Sequence, residues 1–225
     1  PNQVVVFNGQ KKRGKSVLVN DLLYHTRNQY IPNCLILSKA TDISDYPNLL
    51  SSTYVCKEFS DNVIDELITY QTNINKEYIK TNYNYDKNIP SSLLILDDLT
   101  DIWTQSNSMR RCILNSKHYN IFSIITMQYC MTIPIDIRYN FDYVFILRED
   151  FLENKRRLYE FYGGIVQSFD IFCQLMDYYT RDYSCIVFDN TICSNKVEDY
   201  IYWYKAMPHD ISYNPRKRKN ENKDD

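Results

Sequence analysis

Short, nearly continuous apolar runs punctuate an otherwise polar chain, at residues 4–7, 34–37, 93–96, 121–127, 143–147 and 184–188. Runs of this length without polar alternation are what strands covered on both faces require, so they predict a mostly parallel sheet. Between them apolar positions recur at helical spacing. Residues 17–24 put Val19, Leu22 and Leu23 inward, and 61–78 put Val63, Ile64, Leu67 and Ile68 on one face. A further helix is predicted over 106–116. Strands alternating with helices give a layered α/β sandwich around a mostly parallel central sheet. Residues 79–90 are polar and turn-rich and read as a loop. The expected boundary separates a domain over 1–212 from a charged, disordered tail over 213–225. The tail run Arg216-Lys217-Arg218-Lys219 is read as solvated, with DNA contact or a nuclear address as alternatives.

One junction in this pattern carries chemistry. The first strand ends in FNGQKKRGKSVLV, where Gly9 and Gly14 bracket four residues and Lys15-Ser16 follow. A phosphate cradle needs backbone N–H groups turned inward, which glycines permit, and a helix starting at once points its positive end at the anion. The strand–loop–helix order is the context that such a loop requires, so residues Gly9, Gln10, Lys11, Lys12, Arg13, Gly14, Lys15 and Ser16 are assigned to nucleotide binding. Lys15 reaches the β/γ-phosphates and the Ser16 hydroxyl ligates Mg²⁺. For Lys11, Lys12 and Arg13 a solvated basic loop tip competes with this role.

Two later strand ends supply the remaining groups. SSLLILDDLTD ends a strand in paired carboxylates, where Asp97 is expected to hold Mg²⁺ opposite Ser16 and Asp98 to face the attacking water. The alternative is that this acidic stretch caps a following helix. IFSIITMQ ends in Gln128, placed to bridge the γ-phosphate and the water. Further on, Arg138 is the candidate cation for transition-state charge, with Arg110 and Arg111 behind it. A surface pairing of Arg138 with Asp136 or Asp142 competes.

Composition narrows the class. The net charge of −2 announces no global attraction to nucleic acid, though positive charge can be confined to one face. Tyr is abundant at 21 residues, a bias of the kind that an AT-rich genome imposes. Seven cysteines without CxxC spacing and only three histidines argue for reduced thiols in a cytosol-like compartment and no zinc site. Cys34, Cys112 and Cys185 fall in apolar runs and are expected in the core. No apolar stretch approaches 18 residues, and no signal peptide is seen. The chain opens at Pro1 directly on a strand, so an upstream piece is expected to have been removed.

Taken together, GQKKRGKS, LLILDDLTDIW, SKHYNIFSIITMQYCMTIPIDIRYNFDYVFILRE and DYSCIVFDNTICSNKVEDYIYWYKA resemble the viral DNA-packaging ATPases of the poxvirus and giant-virus type, within the FtsK/HerA superfamily of P-loop translocases. The strand-end Gln, the I-R-x-N-x-D segment and the terminal SNKxED…WYKA make the resemblance specific and extend it over nearly the whole chain. It implies an FtsK/HerA-like P-loop NTPase fold and a homo-oligomeric ring that uses ATP and Mg²⁺ to pull double-stranded DNA, without regard to sequence, into a capsid. A capsid or portal partner, and action at the viral assembly site in the host cytoplasm or with the virion, are implied with it. The resemblance carries phosphate and Mg²⁺ binding to Lys15 and Ser16, metal to Asp97, water to Asp98, γ-phosphate sensing to Gln128 and a trans-acting role to Arg138. Two departures stand out: Lys117-His118 where the family often has Arg-His, and Lys11-Lys12-Arg13 where smaller residues are usual. A P-loop kinase acting on a small molecule, with residues 155–157 (KRR) as a lid, is the alternative, and a non-catalytic nucleotide-dependent scaffold is a third reading.

Overall fold

The computed structural model describes residues 2–26, 31–39, 53–81, 89–129, 133–194 and 196–209. In chain order the elements are β1 (Val4–Asn8), α1 (Lys15–Thr26), β2 (Asn33–Ser38), β3 (Thr53–Cys56), α2 (Asp61–Thr81), β4 (Ser92–Asp97), α3 (Thr100–Trp103), α4 (Asn107–Leu114), α5 (Ser116–Tyr119) and β5 (Ile121–Met127). They continue with α6 (Ile135–Arg138), β6 (Tyr143–Ile146), α7 (Leu152–Tyr162), a 3₁₀ turn (Gly163–Ile165), α8 (Phe169–Tyr179), β7 (Ser184–Asp189), α9 (Val197–Tyr200) and β8 (Ile201–Lys205). The strands form one eight-stranded sheet in the order β3-β2-β4-β5-β1-β6-β7-β8. Neighbours from β3 through β6 pair in parallel, and β7 and β8 add antiparallel to that edge.

Alternation along each strand divides the core between the two faces. Val4, Val6, Leu94, Leu96, Val144 and Ile146 point to one side, under Ile64 and Leu67 of α2, Met109 and Cys112 of α4, Leu158 of α7 and Phe172 of α8. Val5, Phe7, Ile36, Ile95 and Ile124 point to the other, where among the described residues α1 is the covering helix, through Leu18, Val19 and Leu23. Burial of such side chains contributes about 1.5–3 kcal/mol each, so α1 is clamped to β1 immediately behind the loop that joins them.

The buried strands fall where the apolar runs predict them, the observed ends lying within a residue of the expected ones. The face of α1 is corrected: Leu18 is buried and Leu22 only half-buried. Residues 79–81 continue α2, although the polar stretch reads as a loop from 79; residues 82–88 and the tail lie outside the described residues. The helix expected over 106–116 breaks at Asn115 into α4 and α5. β3 and β8 carry no buried run, with Tyr54, Tyr202 and Trp203 exposed, and α7 is dense in charge; for this reason periodicity does not reveal them. Cys34, Cys112 and Cys185 are buried as expected, and burial pushes the Cys112 and Cys185 thiols up to about 12. Such thiols are inert.

Candidate functional site

The parallel register brings the carboxyl ends of β1, β4 and β5 together, which is where open α/β sheets bind ligands. The loop leaving β1 is spliced between its neighbours: the Gly9 N–H donates to the Met127 carbonyl at 3.0 Å, and the Leu147 N–H donates to the Asn8 carbonyl at 2.9 Å. A Cβ on Gly9 would lie 2.9 Å from Leu147 Cβ, so only glycine lets the loop pass this close to the end of β6. Lys12 (φ 62°) and Gly14 (φ 101°) take left-handed backbone angles, which turn successive N–H groups into a concavity of the kind that holds anions. The Gly14 carbonyl accepts from the Leu18 N–H at 3.0 Å as α1 begins.

Lys15 Nζ donates to the Gly9 and Gln10 carbonyls at 2.6 and 3.1 Å, curled over its own loop. Burial holds its pKa below the ordinary lysine value, Asp98 and Asp97 opposing this and Lys11 adding to it. Two of the eight loop residues turn their side chains elsewhere. Gln10 Nε2 donates to Glu149 Oε1 at 3.0 Å, and Arg13 pairs with Asp150, itself held by Arg148 at 2.7 Å. Gln10 and Arg13 can therefore offer a phosphate only backbone N–H groups in this arrangement, while Lys11, Lys12, Gly14, Lys15 and Ser16 line a cleft of about 1220 Å³.

Asp97 and Asp98 line the same cleft. Asp97 is braced from both sides, Oδ1 accepting from Thr126 Oγ1 at 2.6 Å and Oδ2 from Ser38 Oγ at 3.1 Å. Asp98 sits at φ 55°, a left-handed conformation uncommon outside glycine and seen mostly for Asn and Asp, held by its N–H donating to the carbonyl and Oγ1 of Thr126 at 3.2 and 3.1 Å. Its carboxylate accepts from Gln128 Nε2, so the two strand-end residues expected to handle the attacking water are in contact. The capping alternative is not what forms: Leu99 occupies the N-cap position of α3, with no side-chain cap.

Arg138 is placed apart from this cleft. It lies on α6, ahead of the amino end of β6, whereas the loop leaves the carboxyl end of β1 alongside it. Its guanidinium covers the Phe161 ring at 3.8 Å, and its buried Nε has no hydrogen-bond partner among the described residues. The competing surface pairs are taken by others: Asp136 by Arg110 at 2.7 Å and Asp142 by Lys117 at 3.0 Å. Arg111 is on Asp65 at 2.6 Å.

The structure also shows residues that sequence reasoning missed. Glu149 is buried and gathers Gln10, the Phe151 N–H at 2.9 Å and Asn154 at 3.2 Å, tying the loop to the start of α7. An acid just past an apolar strand was the available signal, the same that marks Asp97. Beyond the loop, the cleft is lined by Asp182 and Tyr183 from the turn before β7, by Lys205 at the end of β8 and by Ala206 and Pro208 after it. Asp182 and Tyr183 have φ of 51° and 62°, closed by the Ser184 N–H on the Arg181 carbonyl at 2.9 Å, the pattern of a type I′ turn. A bulky tyrosine in that region is an outlier, and its ring stands 70% exposed beside Gly14.

The profile of the family described as Poxvirus A32 protein matches residues 2–211. An uncharacterized protein of Acanthamoeba polyphaga mimivirus is 29% identical over 97% of this chain and 78% of its own length. One of Invertebrate iridescent virus 3 is 30% identical over 92% of this chain and 77% of its own length. Among solved structures, the genome packaging NTPase B204 of Sulfolobus turreted icosahedral virus 2, in complex with AMPPCP, superposes with a TM-score of 0.64 at 14% identity, over 92% of this chain and all of that one. The EccC ATPases 2 and 3 of Thermomonospora curvata superpose with a TM-score of 0.58 at 14% identity, over 91% of this chain and 38% of that one.

Proposed function

The chain belongs to the poxvirus A32 protein family, and from that premise we propose that it is an ATP-hydrolysing motor that moves double-stranded DNA into a viral capsid. The observation that carries this reading is the contact between Gln128 and Asp98, the latter lining the cleft beside the candidate phosphate loop. Paired in this way, the two residues suit water, rather than a small-molecule hydroxyl, as the acceptor of the γ-phosphoryl group. The fold likeness to B204, a genome packaging NTPase, points the same way.

In this reading the loop N–H groups between residues 9 and 16 bind the β/γ-phosphates, and Lys15 leaves its two carbonyls to join them. Ser16 and Asp97 hold Mg²⁺; a hydroxyl and a braced carboxylate are the hard oxygen donors that this ion prefers. When bound, the ion would offset the negative charge of the β- and γ-phosphates. Asp98 takes the proton of the attacking water, and Gln128, hydrogen-bonded to it, orients that water and senses the γ-phosphate. Tyr183, Lys205 and Pro208 receive the base and ribose. Arg138 is too far from its own loop to serve it, so it acts on the nucleotide of the neighbouring subunit in a ring. The exposed Ile135 and Tyr139 beside it suit such an interface.

The kinase alternative loses its lid. Lys155 is buried on Asp177, Arg156 lies over Phe169 and Arg157 pairs with Glu153, all fixed on α7. DNA contact is through phosphates, hence blind to sequence and strongly salt-dependent, and a capsid component receives the motor at the viral assembly site in the host cytoplasm. Among the described residues, no helix is long and apolar enough to cross a membrane. The decisive measurement is ATP turnover at fixed moderate salt with and without long duplex DNA. Several-fold stimulation that requires duplex length supports the motor; turnover indifferent to DNA returns the small-molecule reading.

A further inference from the structure

Behind the cleft, three residues far apart in sequence converge on one point. Asp21 of α1 is 1% exposed, yet no lysine or arginine pairs with it among the described residues. Its Oδ1 faces the Nε2 atoms of His209 at 2.6 Å and His25 at 3.5 Å, and its Oδ2 accepts from the Tyr204 hydroxyl. Of the chain's three histidines, two thus aim a ring nitrogen at the same buried oxygen. A buried carboxylate is costly unless positive charge is brought to it.

Against the expectation of no zinc site, we propose that Asp21, His25 and His209 form a binding site for a divalent transition-metal ion of the zinc class, which pins residues 206–209 against α1. One carboxylate and two imidazoles with a fourth position open are a donor set for such an ion. Asp21 and His25 are four apart on one helix, so they share a face and present a ready-made pair. His209 closes the set, its ring stacked on Tyr24 at 3.7 Å and 5°. The three ligand atoms lie within 4.8 Å of one another. Tetrahedral bonds of about 2.0–2.2 Å place neighbouring donors roughly 3.3 Å apart, so small movements complete the site. His25, 61% exposed, is free to make them. Tyr204 is the outer partner that such ligands require, its hydroxyl donating to Asp21 Oδ2. Because Lys205, Ala206 and Pro208 line the cleft, the ion fixes that part of its wall.

The test is titration of Co²⁺ into the metal-stripped, untagged chain without nucleotide, so its outcome is independent of the ATPase reading. The expected result is one equivalent bound with the visible absorption of a tetrahedral site, displaced by Zn²⁺. Outer-shell changes already cost metal sites about 10–100-fold, so loss of a ligand in His25→Ala or His209→Ala should weaken binding at least about tenfold. Asp97→Asn should leave it unchanged, separating it from the Mg²⁺ position. Absence of a tetrahedral spectrum, or binding undiminished in His25→Ala, overturns the proposal; His25 is exposed enough that this variant folds regardless.

Discussion

Residues 9–16 fold from one uninterrupted stretch of sequence, whereas the rest of the cleft wall takes Asp182 and Tyr183 from the turn before β7, Lys205 from the end of β8 and Ala206 and Pro208 from beyond it. The loop is locked by close backbone packing: Gly9 against Leu147, its N–H on Met127, and α1 clamped to β1 through Leu18 and Val19. The wall hangs on an antiparallel edge of the sheet and on side-chain contacts with Asp21. Phosphate chemistry tolerates little displacement, so its groups sit on the most buried strands. A base or ribose can be held by a less rigid surface, such as this edge of the sheet.

The comparison can be broken most severely at the loop. Lys15→Ala should abolish measurable ATP binding, followed with a fluorescent analogue, because its ammonium is the charged group that this reading places on the β/γ-phosphates. Unchanged affinity would return the loop to a surface turn. Arg138→Ala should leave single-subunit binding intact while ring turnover falls about a thousandfold. Wild-type turnover would leave the arginine with only its packing on Phe161. Asp98→Asn should bind ATP normally and lose turnover by about a hundredfold or more, since the amide cannot take the proton. Full turnover there would move the base elsewhere. On the wall the effect should be milder: Tyr183→Ala raises the KM for ATP about tenfold with kcat nearly kept, and Tyr183→Phe restores it, as stacking on a ring predicts. An equal fall in kcat would instead make Tyr183 part of the chemistry.

Most of the phosphate-binding half is legible from the residues because each of its parts is local. A buried parallel strand has to be apolar throughout, so a polar residue at its end stands out, as Asp97 and Gln128 do. The same signal is ambiguous at Glu149, since an acid followed by Asp150 equally suits a solvated turn. Arg138 is conspicuous in sequence, but only the fold shows it on α6, stacked on Phe161 and away from its own loop. The pairing of Arg110 with Asp136 and Lys117 with Asp142 was equally invisible, because charged surface residues offer many partners of similar energy.

Legible from the residues alone are the alternating α/β plan, the buried strands, the candidate phosphate loop and the acidic and amide groups at two strand ends, because periodicity and glycine placement act over a few residues. The fold is what brings Asp98 to Gln128, Tyr183 beside Gly14, and His209 to Asp21 across 188 positions. Those contacts depend on which strands become neighbours and where the edge returns over α1. That choice is made by the packing of the whole core, and no local run of residues encodes it.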